Sequence, residues 1–197
     1  MIDPSKSILE VTKVLNSESN FFIKTADDLN IGIDHLFRLI NDSYILYQNK
    51  SFASSVFLSI AVIEEVAKIH MALFVKGTNT YVKKEKLRDH KSKEMIGVNY
   101  TVCMGTRIKE ALGDEMLEKI YNLAYSGELK KLREKSIYCE RCDGAVVTPY
   151  DIITQEFSKS ILLFAIDSFD DNLVGLTTHS MDVSIKTDAL FESLASS

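Results

Sequence analysis

From about Asn30 to Gln48 the apolar residues fall at intervals of three and four: Ile31, Ile33, Leu36, Phe37, Leu39, Ile40, Tyr44, Ile45 and Tyr47. That period predicts an α-helix rather than a half-buried strand. A denser helix is expected from about Ser51 to Lys76, with Gly77 as its C-cap. Before these, Ile8, Leu9, Val11, Val14 and Leu15 mark an amphipathic helix over about 4–16, with Pro4 near its first turn. Residues 17–28 read as a largely polar loop. After them, a helix over about 87–112 carries Met95, Ile96, Val98, Val102 and Ile108 and is closed by Gly113. Residues 114–135 continue as helix in two pieces about Ser126 and Gly127. The stretch "IYCERCDGAVVTPY" breaks the pattern. Thr148-Pro149-Tyr150-Asp151 then supplies an N-cap, a proline at the first helical position and an acid at the third. The helix it opens runs to about Asp170. A polar stretch over 171–186 leads to a short last helix over about 187–194. The fold class expected is all-α: a single domain over 1–197, built as one bundle of five to six main helices. Its core lies at about 30–170, with the 4–16 helix and the 171–197 segment peripheral.

Composition narrows this picture. Two prolines and eight glycines in 197 residues leave few breakers, which favours long helices. Apolar content of 46% and charged content of 26% are globular values. The formal net charge of −5 gives no global pull toward nucleic acid. The stretch "MIDPSKSILEVTK" lacks a basic segment followed by an apolar run, so no signal peptide is expected. Three cysteines, an odd count, fit a reduced, cytoplasmic protein. Phe52 to Val75 is long enough to span a membrane but carries Glu64, Glu65 and Lys68. At roughly 2.5–3.5 kcal/mol per charge those three residues exclude a span.

The same three charges are the main puzzle of the sequence "SIAVIEEVAKIHMALFV". Glu64 and Lys68 stand four apart, acid first, on one helix face. Glu65 points about 100° away from Glu64 on the same turn. Apolar neighbours crowd all three, and a buried charge is costly unless paired. The turn therefore faces partner charges inside the bundle or a pocket. Two readings stay open: an ion network that fixes helix register, with Arg133 paired to Glu64 or Glu65, and a functional site.

Two further segments carry candidate chemistry. "YVKKEKLRDHKSK" concentrates Lys83, Lys84, Lys86, Arg88, Lys91 and Lys93, the one basic run in an acidic chain. It reads either as a solvated helix start or as a guide for RNA or a ribosomal surface. Cys139 and Cys142 form half of a zinc site, and neither Cys103 nor the scattered histidines complete it. No metal and no other cofactor is expected. His70 and His179 read as structural or surface groups.

The stretch "SFASSVFLSIAVIEEVAKIHMALF", with its Glu-Glu-x-x-Lys, resembles the central motif of the AbiV family of bacterial abortive-infection proteins. "HKSK", His90-x-x-Lys93, resembles a His-x-x-Lys element that follows it. "LREKSIYCE" places Arg133, Ser136 and Tyr138 where the family has a basic-x-x-small-x-Tyr element. The resemblance touches roughly residues 30–165. It implies a phage-defence protein that blocks phage multiplication at the cost of the infected cell. It also implies a HEPN-type helical bundle and a homodimer, triggered by a phage-encoded protein and acting on RNA or the translation machinery. Many HEPN proteins are metal-independent ribonucleases with an Arg-x(4–6)-His motif. Here no arginine precedes His35, His70, His90 or His179 at that spacing, and Lys83 and Lys84 stand before His90 instead.

Catalysis is left open. If the site is catalytic, Glu64 or Glu65 is the general base and His90 the acid partner at a ribose 2′-hydroxyl. Lys68, Lys93 and Arg133 then hold phosphate, with Lys83, Lys84 and Arg88 as further RNA contacts. Tyr138 orients the substrate or stacks on a base. The expectation is that Glu64, Glu65 and Lys68 meet Arg133 in one polar pocket, with His90 or Tyr138 as further members. The alternative is a non-enzymatic binder that sequesters a phage protein or blocks the translation machinery by occupancy.

Overall fold

The computed structural model describes residues 9, 12–15, 17–82, 86–99 and 106–196. Lys83, Lys84, Cys103 and most of the expected 4–16 helix lie outside the described residues. Helical backbone is present at residues 12–15.

Five long helices carry the bundle: α1 (Ala26–Gln48), α2 (Phe52–Ala72), α4 (Arg107–Ser126), α7 (Gln155–Leu173) and α8 (Thr178–Ala195). Three short ones join them: α3 (His90–Gly97), α5 (Glu128–Lys135) and α6 (Pro149–Ile152). The chain is mostly helical, as its periodicity predicts, with more short elements than expected. Among the described residues no helix is long and apolar enough to cross a membrane.

α2 is the centre, packed against α1, α7, α3 and α5. Ile33, Leu36 and Ile40 of α1 meet Val56, Ile60 and Ile63 of α2 and Ile161, Leu162 and Phe169 of α7 in one fully buried core. A smaller core joins Val14, Ala67, Met71, Leu87 and Ile96. It ties the end of α2 to α3 and to the helical turn at residues 12–15.

Several ends differ from the sequence expectation for identifiable reasons. α1 starts four residues early, because Thr25 Oγ1 accepts from the Asp28 N–H (3.1 Å) while Asp28 Oδ2 accepts from the Thr25 N–H (3.0 Å). This capping box satisfies two open donors of the first turn. α2 ends at Ala72, and Gly77 does not cap it. Instead β2 (Lys76–Gly77) pairs in parallel with β1 (Glu18–Ser19), and Gly77 lies against the Phe22 ring, where a Cβ would come within 2.7 Å. Gly113 is a kink inside α4, with φ 73°, rather than a terminus. Gly127, with φ 76°, makes the left-handed cap between α4 and α5.

The interruption at 137–148 is a hairpin, β3 (Glu140–Cys142) with β4 (Ala145–Val147), turned by Asp143 and Gly144 at positive φ. The Thr148–Asp151 box forms as expected but opens only the single turn of α6. Thr154 then caps α7 through the Phe157 N–H (3.1 Å). The C-terminal segment, expected to be a polar stretch and a short peripheral helix, is the long α8. It buries Val183, Phe191 and Leu194 in the main core.

One close approach positions the rest. A Cβ on Gly97, the last residue of α3, would lie 2.5 Å from the Ile63 carbonyl oxygen and 2.7 Å from Ile63 Cγ2. α3 is thus pressed onto α2 one residue before Glu64. Gly97→Ala should separate the two helices and cost about 1–3 kcal/mol of stability by overpacking, read from urea unfolding midpoints. A wild-type midpoint would show that α3 has room to retreat.

Candidate functional site: a buried carboxylate beside a cationic cleft

Glu64 points inward from the middle of α2 and is only 4% exposed. Its Oε2 accepts from three side chains on two other elements: His90 Nδ1 at 2.9 Å and Lys93 Nζ at 3.2 Å from α3, and Arg133 NH1 at 2.7 Å from α5. Its Oε1 is buried with no hydrogen-bond partner. Burying a carboxylate costs several kcal/mol, which close cationic donors of good geometry offset. His90 and Lys93 reach the same oxygen because they are three apart, on one face of a helix that starts at His90.

Glu65 looks elsewhere, as its 100° offset requires. It is partly exposed and holds Lys68 Nζ at 2.8 Å, and that ammonium lies 4.4 Å from the centre of the Phe21 ring. Among the described residues Lys68 pairs with Glu65 rather than with Glu64. These groups line a cleft of about 480 Å³ together with Arg88, His90 and Lys93. His90 thus links the two halves of the site: Nδ1 on the buried Glu64, and the partly exposed ring on the cleft. When Nδ1–H donates to Glu64, Nε2 is the nitrogen left for another partner.

The structure brings Glu64 together with His90, Lys93 and Arg133, and sets Glu65 and Lys68 at the adjoining cleft. Arg88 also lines the cleft, its guanidinium 6.0 Å from the Tyr81 ring. Tyr138 lies apart, 67% exposed in the turn after α5 and not on the cleft wall. Cys139 and Cys142 are exposed free thiols at the two ends of one extended stretch. Among the described residues no group of three metal-ligating side chains assembles. His70 is buried against Phe74, and burial lowers its pKa. His179 Nε2 lies 2.8 Å from Asp34 Oδ1 at the surface.

Two features were missed. Glu94, next to Lys93 and one turn beyond His90, is fully buried, and neither carboxyl oxygen makes a hydrogen bond of good geometry. Burial first, and the charge of Glu64 second, push its carboxyl up to about 7. The Lys130 N–H in the open first turn of α5, Arg133 and Lys93 pull it back. The i,i+4 spacing from His90 was the available signal.

The second missed feature is Arg107, which opens α4 and reaches Asp167 (3.2 Å) and Asp170 of α7, and Asp188 (2.5 Å) of α8. Its guanidinium also lies 4.3 Å from the Phe191 ring. Burial pushes Asp170 and Asp167 upward while Arg107 pulls them down. Burial also works against the charge on Arg107, but the three acids outweigh it and raise its pKa. The guanidinium contact is direct, so we read Arg107–Asp170 as an ion pair. Asp167 and Asp170, in the apolar run "ILLFAIDSFDD", were its signal in the sequence.

An all-α bundle whose central helix buries a carboxylate under a histidine, a lysine and an arginine is the class that fold and site define. The family model of AbiV, a HEPN group, matches residues 31–168, and the chain belongs to this family of abortive-infection proteins. No curated protein and no solved structure matches the chain.

Removing the Glu64 carboxylate leaves Lys93 and Arg133 facing each other without their shared anion. Glu64→Ala should therefore lose about 3–5 kcal/mol in denaturant unfolding at neutral pH; a loss under about 1 kcal/mol would mean that the cage adds little. Glu94 gives a pH dependence of known sign. Its pKa rises from the ordinary 4.5 to about 7 on folding, so between those values the folded state binds the extra proton. Its contribution is fully present below the lower value and is lost as pH rises through the upper one. Glu94→Gln should flatten this fall in stability across that window; an unchanged pH profile would remove Glu94 as its source.

Proposed function

We propose that this protein stops phage multiplication in the infected cell by disabling RNA or the translation machinery, and that the cleft at His90 is where it acts. Membership of the AbiV family supports the defence role. The observation that carries the choice of site is the position of His90, between the buried Glu64 and an open cleft lined by Lys68, Arg88 and Lys93. A carboxylate-oriented imidazole beside cationic side chains suits acid–base chemistry at a phosphodiester without a metal.

In the catalytic reading Glu65, not the enclosed Glu64, is the base. Glu65 takes the proton of a ribose 2′-hydroxyl, the 2′-oxygen bonds to phosphorus, the bond to the 5′-oxygen breaks, and His90 gives that oxygen a proton. Lys68, Arg88 and Lys93 hold the phosphate, while Arg133 secures Glu64. The protein acts in the cytoplasm as a homodimer switched on by a phage-encoded protein.

A second reading is a non-enzymatic binder that sequesters a phage protein or blocks the translation machinery by occupancy. It is supported by the complete engagement of Glu64 Oε2, which makes the charged turn a lock. In that case the cleft seats an anionic group of the partner.

His90→Gln and Glu65→Gln, compared with wild type in a plaque assay at matched soluble level and melting temperature, separate the readings. The catalytic reading expects protection to fall at least tenfold in both variants, with RNA fragments in infected wild-type cells alone. Protection retained by both variants would overturn it in favour of the binder. Failure of the wild type against a broad phage panel would remove the defence role.

A further inference from the structure

Glu94 is the ionisable group of this region that the proposed chemistry does not use, and its surroundings are unusual. It is fully buried, and neither carboxyl oxygen makes a hydrogen bond of good geometry, although the Lys130 N–H acts on it from the start of α5. The charged groups that face it are Glu64 from α2, Lys93 from its own helix and Arg133 from α5, with the Lys130 N–H of the same α5 turn. Glu64 and Glu94 therefore share two permanent cations, and both cations are bonded to Glu64. A carboxyl retained under these conditions does not serve as an ion-pair partner in this arrangement. An apolar side chain would fill the same space without the desolvation cost.

We propose that Glu94 is a positioning residue of the site: while it carries its proton it leaves Lys93 and Arg133 to Glu64, and once ionised it competes for both.

The proton released goes to solvent water, and the carboxylate left behind is a second anion that interacts electrostatically with the same cations. Drawing Lys93 or Arg133 toward Glu94 loosens the grip on Glu64 Oε2. That oxygen also holds His90 Nδ1, so the change reaches the imidazole that lines the cleft. Lys93 lines the cleft as well, so the number of cations presented there depends on the same proton. Burial and the charge of Glu64 put the Glu94 carboxyl at about 7, where modest pH changes alter its occupancy. The inference concerns the cage alone and stands whatever the cleft binds.

The test is a pH titration of the full-length protein by NMR, following the Glu94 side-chain carboxyl carbon and the Arg133 guanidinium nitrogens. Arginine does not itself titrate near neutrality, so a movement of its signals there reports a neighbour. In the wild type, Glu94 should titrate with a midpoint of about 7 and the Arg133 signals should move with that midpoint. Glu94→Gln should hold them still, and His90→Gln should leave them moving. Signals that still move in Glu94→Gln, that stop in His90→Gln, or that never move in the wild type would each overturn the proposal. If Glu94→Gln does not fold, the wild type and His90→Gln decide it, since Glu94 and Arg133 must share one midpoint in both.

Discussion

The carboxylate of Glu64 is the constraint on which the site depends. It sits in the most apolar helix of the chain, where an ionised group survives only with partners that replace its water. Those partners come from two short helices that have little core of their own. α3 supplies His90 and Lys93, and α5 supplies Arg133. The bare backbone of Gly97 on Ile63 sets how near α3 can come, and so whether a lysine stem reaches Oε2 at all. One acid thereby fixes three donors, and the same ordering turns His90 toward the cleft. An exposed ion pair could not do this, because solvent and side-chain entropy leave such pairs weak and loosely defined.

A second ion cluster at the far end of α7 has the opposite composition. Around Arg107 one cation meets three acids, whereas around Glu64 one acid meets three basic side chains. The Arg107 cluster ties the start of α4 to α7 and α8, with Phe191 stacked beneath the guanidinium. The Glu64 cluster opens on a cleft where Lys68 and Arg88 add further positive charge. In a chain of net charge −5 the division is informative. At Arg107 three acids hold helices together, while Lys68, Arg88 and Lys93 gather at one concave surface, a placement that attracts anions.

Much of the fold was legible because most long helices bury a wide apolar face. α1, α2 and α7 announce themselves by period alone. α8 did not, since Val183, Leu190, Phe191 and Leu194 pack on the main core while Met181 and Ile185 face solvent, so its first half reads as a polar stretch. The hairpin turns at Asp143-Gly144, a dipeptide of the type that favours such turns. Gly77 followed the rule for a helix terminus, yet its real partner is the Phe22 ring, 55 residues earlier in the chain. Within the site, the unusual charge of the Glu64–Glu65–Lys68 turn is plain from sequence. Which acid turns inward is not, because that depends on α3 and α5 arriving from 26 and 69 residues away. Glu94 and Arg107 were harder to read for the same reason: most of their partners come from other elements.

This geometry also bears on the missing Arg-x(4–6)-His spacing. His90 is the first residue of α3, preceded by a 3-10 turn at Lys86–Arg88 rather than by helix. An arginine at that spacing would stand five to seven places before His90, at 83–85, which lie outside the described residues. The ring is held from another element, by Glu64 at the centre of the bundle, whose Oε2 lies 2.9 Å from Nδ1. A carboxylate on Nδ1 fixes the ring plane and leaves Nε2 toward the cleft. Buried as it is, it does so with less freedom than a surface arginine would have. The replacement of a local spacing by a buried long-range contact makes His90 a consequence of the fold's core.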